Sequence, residues 1–434
     1  MRTVAAVAIV CLSSALVVPP AAEAQSQPVP EAVTFEAALV SALTRHPTVI
    51  AAERAVEAAE ARLVQARAGT ALQVGLSGRA SYGTISSTTG APTGGEPSPS
   101  HNISVGASLP LYDGGLRALQ ILQAQALLDA ARAQLAAARQ DVVLAAAQAY
   151  FQVLRARRTV EVREAVLRTA QAQVEQAEAF FRAGTAAQAD VVRARAAAAT
   201  AFAEVVAARG QVETALAALR SAMAVPLHQA VSVSDPAMPA VPTVAAADAA
   251  AEAVRQRPEV RRAEAEVRGA EAALRLARLA AGLQVSLGAT TTVQVSPDPG
   301  QAGWGISATV SYPLFDAGRT AAAVREAAAN LQAATARRDA TVLQVQTQAY
   351  QAVVGLAAAS ARAEATRVSA EAAQEALRVT EGRYRAGVGT LVDVLTAQSD
   401  AAEARVAAVQ AVYDLQQAVV TLQYALGRAL VAGR

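Results

Sequence analysis

After Asp113 an Ala-rich helical pattern runs unbroken to about Phe181, and a second runs from Asp316 to about Tyr384. Each is roughly 67 residues, or ~100 Å at 1.5 Å per residue. Helices in compact domains average about 11–12 residues, so this chain must be built from long columns and not as a globule. Alanine suits that design, because it has the highest helix propensity and no bulk to hold neighbouring helices apart. Hydrophobic residues make up 53% of the chain but aromatics only 3%, which excludes a core made mainly of large rings.

Each long pattern ends at a tip. FRAGTAAQADV covers Phe181 to Val191, and YRAGVGTLVDV covers Tyr384 to Val394. Arg182-Ala183-Gly184 and Arg385-Ala386-Gly387 read as C-cap turns, since glycine tolerates positive φ. Asp190 and Asp393 follow the turns as helix-start carboxylates favoured by the macrodipole. Return helices are expected over about Gln188 to Met223 and Leu391 to Leu426, each ~55 Å, and shorter helices over about Pro47 to Ala68 and Pro258 to Ala281, each ~35 Å. A short helix stacked end to end on a return helix reaches ~90 Å, close to the height of a long helix. The expected architecture is one continuous and one broken column per hairpin.

The same order occurs twice, at a period of roughly two hundred residues. Arg45-His46-Pro47 is echoed by Gln256-Arg257-Pro258, Pro110-Leu111-Tyr112-Asp113-Gly114-Gly115 by Pro313-Leu314-Phe315-Asp316-Ala317-Gly318, and Gln148-Ala149-Tyr150 by Gln348-Ala349-Tyr350. The expected organisation is a signal segment at 1–24, a first repeat at 25–230 with a helical hairpin over about 113–224, and a second at 231–434 with a hairpin over about 316–427. A Pro-rich connector, Val225 to Val244, joins them. Thr34 and Asp113 are expected N-caps, Pro47 a first-turn residue, and Gly69 a helix stop.

Before each long helix the period changes from 3.6 to 2. Leu72, Val74, Leu76, Ala80 and Tyr82 alternate with Gln73, Gly75, Ser77, Arg79 and Ser81; Ile103, Val105, Ala107, Leu109 and Leu111 alternate with Ser and Gly. Leu283 to Val295 and Trp304 to Tyr312 do the same. Strands are expected at about 71–84, 101–112, 283–296 and 303–314, with a Thr/Gly/Pro/Ser loop between the first two and Pro297-Asp298-Pro299-Gly300 turning between the last two. About ten residues per strand, one face apolar and the other Ser, Gly, Gln and Thr, fits a transmembrane β-barrel with a watery lumen. Tyr82, Trp304 and Tyr312 suit an interfacial belt. Four strands cannot close a barrel, and an open edge in lipid costs several kcal/mol per unpaired group, so the barrel is expected to be shared: twelve strands from three chains.

Arg2, the apolar Ala5–Val18 run and Ala22-Glu23-Ala24 read as a cleaved secretory signal, and the one cysteine, Cys11, lies inside it. A net charge of +2 implies no polyanion, so no nucleic-acid partner is expected. All 38 basic residues are arginine, a composition bias. His46, His101 and His228 are isolated, without metal-ligand spacing, and no glycine pattern forms a phosphate loop. No enzyme, metal or cofactor is expected. Two function classes remain: a transport conduit, or a periplasmic coiled-coil adaptor or structural protein without a pore, which lipid-facing strand alternation would argue against.

The strand-to-helix junctions at Pro110–Gly115 and Pro313–Arg319, the two tips and the two-copy layout resemble the TolC family, the outer membrane efflux proteins of Gram-negative bacteria. Tyr384, Gly387, Thr390, Val392-Asp393-Val394-Leu395 and Ala397 match the family's second tip; Phe181-Arg182-Ala183-Gly184 and Asp190-Val191 match the first. The resemblance implies an α+β membrane protein: a homotrimer with a 12-stranded outer-membrane β-barrel continued by a 12-helix periplasmic α-barrel, with two structural repeats per chain. It implies an exit duct for a tripartite efflux or type I secretion system, fed by a periplasmic adaptor and an inner-membrane pump. It also implies a periplasmic gate in which Asp393 faces the pore and Asp190 pairs with Tyr384, and adaptor docking at Arg182, Ala183, Gly184, Arg385, Ala386 and Gly387. The sequence departs at Gly389 and Thr396, where the best-known member has Arg and Asp, and at His46-Pro47 and Arg257-Pro258, where Asn-Pro is common.

Overall fold

The computed structural model describes residues 32–83, 98–236, 241–242, 244–295 and 302–429. The signal segment, most of the loop expected between the first two strands, and the Pro297–Gly300 turn lie outside these residues. The elements in order are β1 (Ala32–Val33), α1 (Phe35–Arg45), α2 (Pro47–Ala68), β2 (Gln73–Gly83), β3 (Ser98–Tyr112), α3 (Leu116–Arg182), α4 (Gln188–Ala222), β4 (Ser232–Val233), α5 (Ala246–Gln256), α6 (Pro258–Leu279), β5 (Gln284–Val295), β6 (Ala302–Ser311), α7 (Arg319–Arg385) and α8 (Leu391–Ala425). The long helices are 67 residues each, the return helices 35 and the short helices 22.

The columns stack as the lengths require. Arg139 pairs with Glu53 and Arg132 with Glu60 on α2, whereas Glu164 pairs with Arg209 and Glu178 with Arg195 on α4. Thus α2 and α4 both run antiparallel to α3, one beside each half, and meet near its middle. There the Ser41 hydroxyl donates to the Met223 carbonyl, and Thr34 caps α1 through its side chain. In the second half Arg257, at the start of α6, donates to the carbonyl of Tyr424 at the end of α8. Arg155–Asp414 and Arg268–Asp129 tie α3 to α8 and α6. The columns therefore lie in the order α2/α4, α3, α6/α8, α7.

The main core sits at mid-height around Tyr150, Phe151 and Phe35, whose rings lie 5.3–6.3 Å apart. The connector is strapped to it. β4 pairs in parallel with β1, Arg157 donates to the Val233 carbonyl, and Arg158 pairs with Asp235. This two-residue pairing has no sequence signature.

Two local expectations need correction. Asp113 is not the N-cap: Gly115 is, at φ 93°, and the Asp113 carboxylate reaches forward to accept from the amides of Gly115 and Arg117. Asp316 does the same for Gly318 and Thr320, so α3 and α7 begin at 116 and 319. The expected stop at Gly69 holds: it is the C-cap of α2, in a right-handed conformation. β3 starts at Ser98 and β6 stops at Ser311, because Pro313 has no N–H for the ladder.

Candidate functional site

Two regions carry functional geometry, the sheet and the paired tips. The four long strands form one antiparallel sheet in the order β2-β3-β5-β6. Its register places every apolar alternation on the same face: Leu76 opposes Val105, Val105 opposes Thr291, and Thr291 opposes Trp304. Leu76 is 73% and Trp304 82% exposed, so among the described residues nothing covers that face. Ser77 and Ser104 hydrogen-bond at 2.9 Å on the other. Tyr82 and Trp304 stand near the loop ends of their strands, Tyr112 and Tyr312 near the helix ends, all more than half exposed. β2 alone spans ~35 Å, enough to cross a hydrocarbon layer of ~30 Å. Among the described residues β2 and β6 are the outer edges of the sheet, without further strand partners. No described helix is long and apolar enough to cross a membrane.

The helical columns also have open edges. On α7, Leu343, Tyr350, Val354, Val368 and Val379 are each about half exposed or more. They recur after 7, 11, 25 and 36 residues, close to whole turns of 3.6, so they form one stripe. At the opposite edge α2 and α4 expose Ile50, Val64, Val192, Phe202 and Val206.

At the far end the two tips pack together. Ala177, Val191, Ala194 and Leu391 are buried there, with Tyr384 against them. Both turns are Schellman motifs: Gly184 (φ 73°) donates to the Phe181 carbonyl while Thr185 donates to Phe180, and Gly387 (φ 75°) donates to Tyr384 while Val388 donates to Arg383. Arg385 pairs with Glu381 at 3.2 Å, and the Arg182 guanidinium caps the Glu178 carbonyl. Ala183 and Ala386 are the C-cap residues.

The expected gate residues lie close together. A groove of about 520 Å³ between the tips is lined by Asp190, Arg193, Tyr384 and Thr390 among others. Asp190 has its ion partner in Arg193, at 3.8 Å, and no hydrogen bond joins it to Tyr384. Burial, helped by the negative charge of Asp190, raises the Tyr384 hydroxyl above its ordinary range. Asp393 is held in a capping box: one carboxylate oxygen accepts from the Thr390 hydroxyl (2.8 Å) and amide (3.1 Å), while the Asp393 amide donates back to Thr390. Those bonds, the hydroxyl's foremost, hold the carboxyl below its ordinary range.

Sequence reasoning missed Phe180, whose ring lies 5.9 Å from that of Tyr384. The pattern aligns Tyr384 with Phe181, yet Phe181 points outward at 46% exposure. Gly389 has a local reason. A Cβ there would lie 3.2 Å from the Tyr384 nitrogen and 3.3 Å from the Arg383 carbonyl carbon, so a side chain forces the turn to shift.

The sequence pattern described as "Outer membrane efflux protein" matches residues 38–225 and 249–428. The chain belongs to the outer membrane efflux protein family. It is therefore a protein of the outer membrane, and the family is one of channels, not enzymes. Outer membrane protein OprJ of Pseudomonas aeruginosa is 29% identical over 195 residues, a match covering 42% of this chain and 39% of OprJ. The fold is that of solved outer-membrane channels. VceC of Vibrio cholerae superposes with a TM-score of 0.79 at 22% identity, over 91% of this chain and 96% of VceC. CmeC of Campylobacter jejuni gives 0.80 at 18% identity, over 91% and 85%. Family membership and the uncovered four-stranded sheet set aside the reading as a pore-less adaptor.

Proposed function

We propose that three copies of this chain form the exit duct of a tripartite efflux or secretion system. The observation that carries this reading is the pair of unsatisfied edges. β6 of one copy can pair antiparallel with β2 of the next, and the α7 stripe can meet α2/α4 of the same neighbour. Both contacts are head to tail, and such contacts form a ring when the rotation closes. Three copies give twelve strands and twelve columns from two structural repeats per chain, 25–230 and 231–434. The apolar face of the sheet then meets lipid, and the Ser/Gly/Thr face lines the lumen.

In this reading the tips form the periplasmic mouth. Asp190, Tyr384 and Asp393 gate it, while Arg182-Ala183-Gly184 and Arg385-Ala386-Gly387 present the turns to a periplasmic adaptor, which connects to an inner-membrane pump. A trimer extracted from outer membranes should migrate as a heat-modifiable band and conduct in planar bilayers. Asp393→Ala should raise its conductance and weaken cation preference. Unchanged single-channel behaviour sinks the gate assignment, and a monomer that never conducts sinks the duct. Gly387 replaced by a bulky residue should abolish adaptor pull-down while leaving the trimer intact.

A further inference from the structure

Arg79 is the only Asp, Glu, Lys or Arg in the four strands of the sheet. Its register partner is Asn102, and Asn102 in turn pairs with Gln294, so it stands on the polar face. Among the described residues no carboxylate or acceptor holds its guanidinium, and even the neighbouring Asn102 Oδ1 accepts no hydrogen bond. The contrast with the helices is sharp, where arginines repeatedly face acids: Arg132 with Glu60, Arg195 with Glu178, Arg378 with Glu375.

The wall below this arginine is nearly bare. Two rows nearer the helices the polar face carries Gly75, Gly106, Thr290 and Gly305 in register. Arg79 is six residues along β2 from Gln73, ~20 Å above the start of the sheet. A long cationic side chain therefore projects from a smooth, neutral surface in the outer part of the strands.

We propose that Arg79 is a charge-selecting residue of the outer duct, forming a ring of three guanidinium groups that attracts carboxylate- or phosphate-bearing solutes on their way out. The inference rests on the duct reading above, with the polar face inward. Rings of Arg or Lys favour anions in pores. A guanidinium binds carboxylate and phosphate through a planar fork. This basic level lies at the opposite end of the molecule from the acidic residues of the tips.

The test uses the full-length trimer in planar bilayers, with inorganic tripolyphosphate added on the side of the strand-connecting loops. Wild type and Arg79→Lys should be blocked. Arg79→Gln should need about tenfold more anion for half-block, and Arg79→Glu should not be blocked. Equal block of wild type and Arg79→Gln, or no block of wild type, overturns the proposal. A separate arm checks the underlying reading. Arg79→Cys should react with a membrane-impermeant thiol reagent within a conducting trimer. Conduction with an unreactive cysteine would place the polar face away from the lumen, while absence of any conduction would remove the duct itself.

Discussion

The two long helices α3 and α7 have equal length and occupy equal places in their halves, yet they live in different environments. α3 buries 17 of its residues and α7 only 5. Tyr150 is fully buried, its hydroxyl 2.5 Å from the Ser234 carbonyl and 3.1 Å from that of Val33, whereas its counterpart Tyr350 is 57% exposed. α3 has columns on both sides within the chain; α7 has one. The same layout thus makes one helix a core element and the other an interface. Replacing Tyr150 with Ala should cost about 4 kcal/mol, from lost ring burial and the lost hydroxyl hydrogen bond. Tyr350→Glu should leave the protomer fold intact and block assembly. Gel-shift temperature for the first and native mass for the second check this; equal behaviour of the two variants would break the comparison.

The next contrast is where the broken columns meet. In the first half His46 sits between α1 and α2, its ring nitrogen accepting from the Thr48 amide. In the second half the counterpart Arg257 is 3% exposed. It forms a bidentate pair with Glu259 at 2.7–2.9 Å, donates to the Tyr424 carbonyl, and lies 4.3 Å over the Tyr424 ring. The Tyr424 hydroxyl donates to Asp141 at 2.6 Å. Arg257→Ala should cost about 3 kcal/mol by stranding these partners, against about 1 kcal/mol for His46→Ala, measured by denaturant midpoints. Tyr424 is raised to about 12, by burial first and then by Asp141. Its folded value lies above the unfolded one, so its contribution is complete below pH ~10 and is lost as pH rises toward 12. Tyr424→Phe should flatten that alkaline loss.

Much of this was legible in the sequence. The strands announced themselves by period two, and the turns by Gly184 and Gly387, because both are local rules. Burial of Arg257 was not legible, since an arginine beside a helix-start proline reads the same whether solvated or enclosed. The exchange of roles between Phe180 and Phe181, and the unequal burial of α3 and α7, depend on which column stands next door. The capping box at Asp393 was half visible: the carboxylate was placed at a helix start, but its bond to Thr390 was not foreseen.

Smaller effects sharpen the comparison further. α4 ends with Ala224 at φ 53°, where α8 ends with Gly427 at φ 74°. Ala224→Gly should stabilise by up to about 1 kcal/mol by relieving left-handed strain. Gly427→Ala should destabilise by more, because its Cβ would meet Gln256 at 3.0 Å. At the tips, Thr390→Ala should cost about 1 kcal/mol at neutral pH. The Asp393 carboxyl is depressed, so its share is present above pH ~4 and fades as pH falls through the folded value. Ala187, at the matching N-cap of α4, has no side-chain cap; Ala187→Ser should add about 0.5 kcal/mol, read as slower amide exchange in the first turn of α4.

The lengths carry a mechanical meaning. In each half a 22-residue and a 35-residue helix stand beside one of 67, and the gap between the two shorter ones is closed by contacts such as Arg257 to the Tyr424 carbonyl. The 11-residue helices α1 and α5 lead into α2 and α6 at that gap. The continuous helix is a spine carrying bending through its covalent backbone, while the split column has a joint that bears compression but little tension. Twist applied at the tips is therefore carried past mid-height by the spine, while the split column passes it on only through the contacts at its joint, Ser41 to Met223 and Arg257 to Tyr424.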